Sequence, residues 1–159
     1  MMPTSLFKSR LSKIVSRLPM WPPSLVLGQV LNQALKPLIE SGDLLPLSGK
    51  RTAIIVEDLG LHFSFTLRQN RFTPIARPDQ ADLTIRSTLH DFYLLATRQE
   101  DPDTLFFNRR LVIEGDTELG LIAKNTMDSL ELPKPVLALC SALKKIDALH
   151  SSPNQQFPV

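Results

Sequence analysis

Residues 61–68 alternate strictly between apolar and polar side chains, and this pattern constrains the fold more than any other in the chain. The apolar members are Leu61, Phe63, Phe65 and Leu67, and the polar members are His62, Ser64, Thr66 and Arg68. Because successive side chains of a strand point to opposite faces, the pattern predicts a β-strand with one buried face. Such a strand needs partner strands beside it and a second layer that covers its apolar face.

Weaker periodic segments lie on both sides of this strand. We predict further strands over residues 53–57, 72–76, 81–86 and 111–114, and helices over residues 25–39, 89–98, 101–106, 117–130 and 136–149. Pro37 is expected to kink or divide its helix, and Pro19, Pro22 and Pro23 to form a rigid elbow around Trp21. Grouped strands predict an α+β fold, with a roughly five-stranded, mainly antiparallel meander covered by helices.

The first 20 residues differ from the rest in charge. They carry Lys8, Arg10, Lys13 and Arg17 but none of the 16 acidic residues. Over residues 5–18 the spacing predicts an amphipathic helix with Phe7 and Leu11 on its apolar face. Either this helix contacts an anionic membrane through Phe7, Lys8, Arg10, Leu11, Lys13 and Arg17, or it docks on its own domain. The expected organisation is therefore this helix over 1–20, one domain over 21–150 and a disordered tail over 151–159.

Several classes of protein are disfavoured by the composition. No run approaches the roughly 18 apolar residues that cross a bilayer, and the net charge of +2 is too small to argue for nucleic acid. The single cysteine, Cys140, excludes an internal disulfide and is typical of a reducing compartment, so we expect a cytoplasmic protein.

The sequence contains no recognisable set of catalytic residues. His62, His90 and His150 have no spacing typical of a metal site, and Asp101 and Asp103 around a proline are typical of a helix cap. We therefore assign no catalytic residue, metal or cofactor. Arg109 and Arg110 are either headgroup contacts or a solvated basic edge.

A resemblance to a known family rests on residues 101–121, which read DPDTLFFNRRLVIEGDTELGL, and continues through Lys124-Asn125 and Met127-Asp128. This stretch resembles the UbiT family of ubiquinone biosynthesis accessory factors, within the sterol carrier protein type-two superfamily. The resemblance implies a sheet covered by helices around a hydrophobic cavity for lipid tails. It also implies a role in oxygen-independent ubiquinone synthesis beside the peptidase-like hydroxylation partners UbiU and UbiV.

A carrier needs an apolar cavity rather than reactive groups. The candidate lining residues are Phe63, Phe65, Leu67, Ile113, Leu119, Ile122 and Met127. From the pattern alone these side chains fill a solid core, whereas the resemblance favours a cavity for some of them.

The leading hypothesis is therefore an accessory factor that holds a polyprenyl ubiquinone precursor or a phospholipid for modification at the inner membrane. The alternative is a non-catalytic interaction module that organises ubiquinone biosynthetic enzymes. An enzyme that acts on lipid is a third hypothesis, which the missing catalytic residues disfavour.

Overall fold

The computed structural model describes residues 21–150. The helices are α1 (Trp21–Ala34), α2 (Lys36–Ser41), α3 (Leu89–Ala96), α4 (Pro102–Phe107), α5 (Thr117–Ser129) and α6 (Lys134–His150). The strands are β1 (Arg51–Val56), β2 (Leu61–Arg68), β3 (Arg71–Pro74), β4 (Leu83–Ser87) and β5 (Val112–Gly115), and short 3-10 turns span Leu45–Leu47 and Glu57–Leu59. The helix predicted over 5–18 and the tail over 151–159 lie outside the described residues.

The five strands form one sheet in the order β3-β2-β1-β4-β5. Three of the four strand pairs are antiparallel, and β1 and β4 are parallel. The α+β class and the mainly antiparallel sheet are thereby confirmed.

One face of the sheet is apolar across its whole width. The register aligns Phe63, Ile54, Ile85 and Ile113 side by side on β2, β1, β4 and β5. We call these four residues the apolar row. Buried residues from the helices, including Ile39, Leu95 and Leu119, belong to the same hydrophobic core as Phe63 and Ile85. The helices therefore cover this face, as the alternation in β2 requires.

The opposite face of the sheet carries ion pairs instead. Arg86 on β4 contacts Glu57 at 3.6 Å and Glu114 at 2.7 Å, and Arg51 on β1 contacts Asp82 at 3.2 Å. The bond with Arg51 lowers the pKa of the Asp82 carboxyl.

The predicted meander is wrong at the connection between β3 and β4. β4 does not follow β3 in the sheet but crosses over to lie parallel to β1. The physical reason is visible in β3, which ends in Pro74. Proline cannot donate a ladder hydrogen bond and is confined to edge strands, so β3 occupies an edge and β4 pairs elsewhere.

Pro37 divides the second predicted helix rather than kinking it. Leu35 separates α1 from α2, and Pro37 lies in the first turn of α2, where its missing N–H costs nothing. The predicted elbow is wrong at Trp21, because Pro22 and Pro23 lie within α1, whereas Pro19 lies outside the described residues. Gly42 ends α2 in the left-handed conformation, as the sequence predicts.

The junction from β5 into α5 is fixed by two adjacent residues. Gly115 ends the strand at φ +118°, and its backbone lies against that of Asp82 and Leu83. Asp116 then caps α5, because its side chain accepts hydrogen bonds from the backbone N–H groups of Glu118 at 2.9 Å and Leu119 at 3.1 Å. The helix predicted over 117–130 is confirmed.

Candidate functional site

The seven predicted cavity residues all lie in or against one hydrophobic cluster. Phe63, Phe65, Leu67 and Leu119 are buried in this core. The other three, from β5 and α5, are partly buried and pack against it: Ile113, Ile122 and Met127. The structure therefore brings these side chains together between the sheet and the helices. Their role in lining a lipid cavity stays a prediction.

Side chains near the centre of the sheet are closed off from solvent. Phe65 and Leu83 are each 1% exposed, and Leu105 of α4 is completely buried. On the α1 side, a Cβ at Gly28 would lie 3.4 Å from the ring of Phe65, so this helix approaches β2 closely. A ligand that comes from solvent must therefore enter away from the centre of the sheet or through an opening made by moving a helix.

An open groove of about 460 Å³ lies at the β5 edge of the sheet. Its lining residues are Phe106, Phe107, Arg109, Leu111, Val112 and Ile113. The volume falls in the range of small-molecule sites, roughly 300–1,000 Å³. Ile113 is shared by the groove and the apolar row, so the groove wall is continuous with the interior face of the sheet.

Two adjacent phenylalanines form the outer wall of this groove. Phe106 and Phe107 end α4 with their rings edge to face, 5.7 Å apart, and Phe107 is 76% exposed. The ammonium group of Lys124 on α5 lies 5.2 Å from the Phe106 ring centre and 5.9 Å from that of Phe107. Lys124 also pairs with Asp103 at 2.5 Å. These contacts hold the rings in place although they face solvent.

Arg109 and Arg110 have different surroundings. Arg110 binds the buried carboxylate of Asp91 at 2.5 Å and Glu100 at 3.0 Å, and the bond with Asp91 raises the pKa of its guanidinium. Arg109 lines the groove and makes no ion pair within residues 21–150. Of the two candidates for headgroup contact, Arg109 is thus the one with an uncompensated charge. The remaining candidates, from Phe7 to Arg17, lie outside the described residues.

A smaller groove of about 160 Å³ separates the end of α3 from α4 and α5. Met127, one of the predicted cavity residues, lies in its wall beside Leu95 and Pro102. Its other lining residues are polar or charged, including Arg98, Glu100 and Asp101. This polar lining is poorly suited to an alkyl chain.

The titratable groups do not assemble into a reactive centre in the part of the chain that the structure describes. No three His, Cys, Asp or Glu side chains there could hold a metal ion. His62 lies on the polar face of β2, where burial and then the charge of Arg77 lower its pKa. His90 is exposed on α3. Asp101 caps α4 by accepting hydrogen bonds from Thr104, in agreement with the predicted cap.

Residues 27–128, from α1 to α5, match the model of the SCP-2 sterol transfer family. The chain belongs to this family. Two curated relatives carry the name ubiquinone biosynthesis accessory factor UbiT, from Escherichia coli K12 and from Escherichia coli O157:H7. Each is 44% identical over 114 residues, which is 72% of this chain and 65% of the relative. The chain therefore matches just under two thirds of the length of these relatives, and the resemblance seen in residues 101–128 is confirmed.

A solved structure shows the same SCP-2 fold. It is described as a UbiJ-SCP2 ubiquinone synthesis protein, and it aligns with a TM-score of 0.55 over 69% of this chain and 97% of its own. The two sequences are only 18% identical, so this likeness concerns the fold. No helix among residues 21–150 is long and apolar enough to span a membrane.

Sequence reasoning missed the two phenylalanines as site residues. Phe106 is the last residue of the short helix predicted over 101–106, and Phe107 lies one residue beyond that prediction, although the helix of the structure includes both. The sequence does contain one signal for an exposed aromatic side chain, because two adjacent aromatic residues on a helix cannot both face the core.

Proposed function

We propose that this SCP-2 family chain is a non-catalytic accessory factor of ubiquinone biosynthesis that shelters the hydrocarbon tail of a lipid. The expected ligand is a polyprenyl ubiquinone precursor or a phospholipid. One observation carries the proposal: the open groove at β5 shares Ile113 with the apolar row, so an alkyl chain laid in the groove reaches the edge of the covered face of the sheet. The 44% identity to UbiT supports the choice of pathway.

The energetics of such a ligand fit an apolar site without reactive groups. Each CH₂ group of a tail gains about 0.8 kcal/mol on leaving water. A tail of about ten carbons therefore provides several kcal/mol of binding after the cost of immobilisation. Arg109 at the groove rim supplies a cation for a phosphate or for a carboxylate on the head of the ligand.

Extraction of the purified full chain with organic solvent, followed by mass spectrometry, tests the proposal. We expect one class of long-chain lipid in near-stoichiometric amount. Ile113→Trp should lower this amount several-fold, because the larger side chain fills the groove next to the apolar row. Leu45→Trp is the matched control, since Leu45 is exposed in the turn before β1, away from the groove. An empty extract from the unsubstituted protein, or equal lipid in both variants, would contradict the proposal.

The second candidate is an interaction module with a filled interior, and the full burial of Phe65 and Leu105 agrees with it. It predicts an empty extract together with capture of ubiquinone biosynthetic enzymes by the tagged chain. UbiU and UbiV are the partners to probe first under either proposal. Loss of ubiquinone in deletion cells grown without oxygen, but not in those grown with oxygen, would place the protein in the oxygen-independent route.

We also propose that residues 1–20 assist contact with the inner membrane. This part of the proposal rests on the charge pattern of Lys8, Arg10, Lys13 and Arg17. Deleting residues 1–20 should weaken binding to anionic vesicles, and unchanged binding would remove this role.

A further inference from the structure

An exposed apolar surface lies beside the groove, on α4 and α5. Phe107 is 76% exposed, Phe106 37% and Leu121 57%. Leu121 lies one helical turn before Lys124, on the same side of α5 as the ammonium group that sits over both rings. We call Phe106, Phe107 and Leu121 the aromatic tip. Clustered large apolar side chains in water are costly and mark an interaction surface.

The stretch of chain that forms the aromatic tip carries more acids than bases. Residues 101–128 contain six acidic and three basic side chains. Four of these acids, including Glu118 one turn before Leu121, have no basic partner within residues 21–150. Of the three bases, only Arg109 lacks a carboxylate partner there. A partner that fits this surface should therefore be apolar on one side and basic beside it.

Residues 1–20 have that character. They carry four bases and no acid. The apolar side of the helix predicted over residues 5–18 consists of Phe7, Leu11, Ile14 and Leu18. The basic residues lie beside this apolar stripe, so such a helix can cover the rings and also bring cations to the carboxylates around them.

The direction of α1 brings the chain to the correct end of the sheet. Asn32 of α1 bonds the backbone of Phe72, whereas Gly28 lies against Pro74, so α1 runs opposite to β3. β5 also runs opposite to β3, because β2 and β5 share one direction and β1, β3 and β4 the other. α1 and β5 therefore begin at the same end of the sheet, and the chain enters α1 at Trp21 on the end where the groove lies.

The length of residues 1–20 matches the distance that remains. From β3 to β5 the sheet has four strand spacings, about 19 Å in all. A helix over residues 5–18 is about 21 Å long. Leu25 and Leu89 are also exposed along this end of the sheet, so the path to the aromatic tip is partly apolar. Because the segment is tethered to the domain, its effective concentration is high and a small contact area suffices.

We infer that residues 1–20 fold back onto the aromatic tip and cover the groove at β5. Phe106 and Phe107 belong to both the tip and the groove wall, so a helix that covers the rings also covers the groove entrance. The inference rests on the proposed function for the role of the groove, and it adds regulation. The side chains proposed to contact the membrane are held on the domain in solution, so binding to an anionic bilayer uncovers the groove. The docking itself does not depend on a bound lipid.

Crosslinking within the full chain tests the docking. Leu11→Cys is combined with Leu121→Cys in a Cys140→Ser background, so that a short bismaleimide can join only these two positions. The matched control pairs Leu11→Cys with Leu45→Cys, because Leu45 is exposed but lies before β1, at the other end of the sheet. Docking predicts that the first pair reacts at least about fivefold faster than the control pair, through its higher effective concentration. Phe7→Ser or added salt should slow the first pair only. Equal rates for the two pairs would overturn the inference.

Uptake of dansyl-undecanoic acid by the delipidated full chain tests whether the docked segment covers the groove. Phe7→Ser with Leu11→Ser should speed uptake several-fold, because the groove is then open. Leu6→Ser is the matched control, since Leu6 lies off the apolar stripe of the predicted helix, and it should leave the rate unchanged. An equal rate for the double variant and the unsubstituted protein would overturn the covering role. Absence of uptake in every variant would contradict the proposed function instead, and the crosslinking rates would still decide whether the segment docks.

Discussion

Replacing Gly115 by alanine tests how the fold fixes α5 against the sheet. A Cβ at this position would lie 2.2 Å from the carbonyl oxygen of Asp82, 3.0 Å from its carbonyl carbon and 3.1 Å from the Cα of Leu83. All three neighbours are backbone atoms, so no side-chain rotation relieves the overlap. The substitution must therefore push the end of β5 away from β4.

The expected cost has two parts. A non-glycine residue at φ +118° costs about 1–3 kcal/mol. Moving β5 also stretches the hydrogen bond that the Asp116 N–H donates to the Asp82 carbonyl, now 3.0 Å, whose loss costs about 1 kcal/mol. With the loosened contact at Leu83, we expect the free energy of unfolding to fall by about 3–5 kcal/mol, out of a typical 5–15 kcal/mol. The melting temperature should drop by roughly 10 °C.

Gly49 provides a matched control within the same chain. It also has a positive φ, +72°, but a Cβ there would meet no atom within 4 Å. Gly49→Ala therefore carries only the conformational cost, about 1–2 kcal/mol. Urea unfolding followed by circular dichroism measures both variants. If the two lose the same stability to within about 1 kcal/mol, steric contact at the β4–β5 junction is not what fixes α5.

Two further predictions concern charged residues near the candidate site. Arg110→Met should lower the free energy of unfolding, because it leaves a buried carboxylate without its partner, whereas Arg109→Met should leave it nearly unchanged. Urea unfolding checks both, and equal losses would contradict the assignment. Hydrogen bonds from Thr104 lower the pKa of Asp101 from its ordinary value of 3.8. The contribution of this carboxylate to stability is therefore fully present above pH 3.8 and is lost as the pH falls through the lowered pKa of the folded state. Asp101→Asn keeps the cap but removes the titrating carboxyl group. The difference in free energy of unfolding between the unsubstituted protein and this variant should therefore shrink below pH 3.8 in urea titrations. A difference that stays constant with pH would refute the assignment.

The parts of the fold that the sequence predicts are those with local causes. Alternation in residues 61–68 identifies β2 and its apolar face, because side-chain direction in a strand depends only on position. The prediction that only this face is buried is wrong, since Ser64 and Thr66 on the polar face are buried as well. Gln69 and Asn70 form the hairpin turn at φ 50° and 59°, as expected for polar residues that tolerate the left-handed conformation. Asp116 is recognisable as a cap from its place before an apolar period.

The order of the strands depends on contacts between distant segments, so the periodicity of single segments does not predict it. β4 lies beside β1 because Pro74 makes β3 an edge strand, a consequence that becomes visible only when the sheet is assembled. The groove at β5 escapes prediction for a similar reason. Its wall combines the end of α4 with an edge strand, and periodicity within one segment does not report on a surface made by two.

The structure divides the predicted cavity residues by how readily they could admit a tail. Those near the centre, such as Phe65 and Leu67, are almost fully buried and are held by strands on both sides. Those toward the edge, such as Ile113, are partly exposed, because β5 has a partner strand on one side only. A lipid tail that displaces a fully buried side chain costs several kcal/mol. A tail that lies along a half-buried side chain displaces nothing and removes the exposed apolar surface of that side chain from water. If the domain accepts a lipid, the tail should therefore enter between β5 and the end of α4, with Ile113 as its first contact on the covered face.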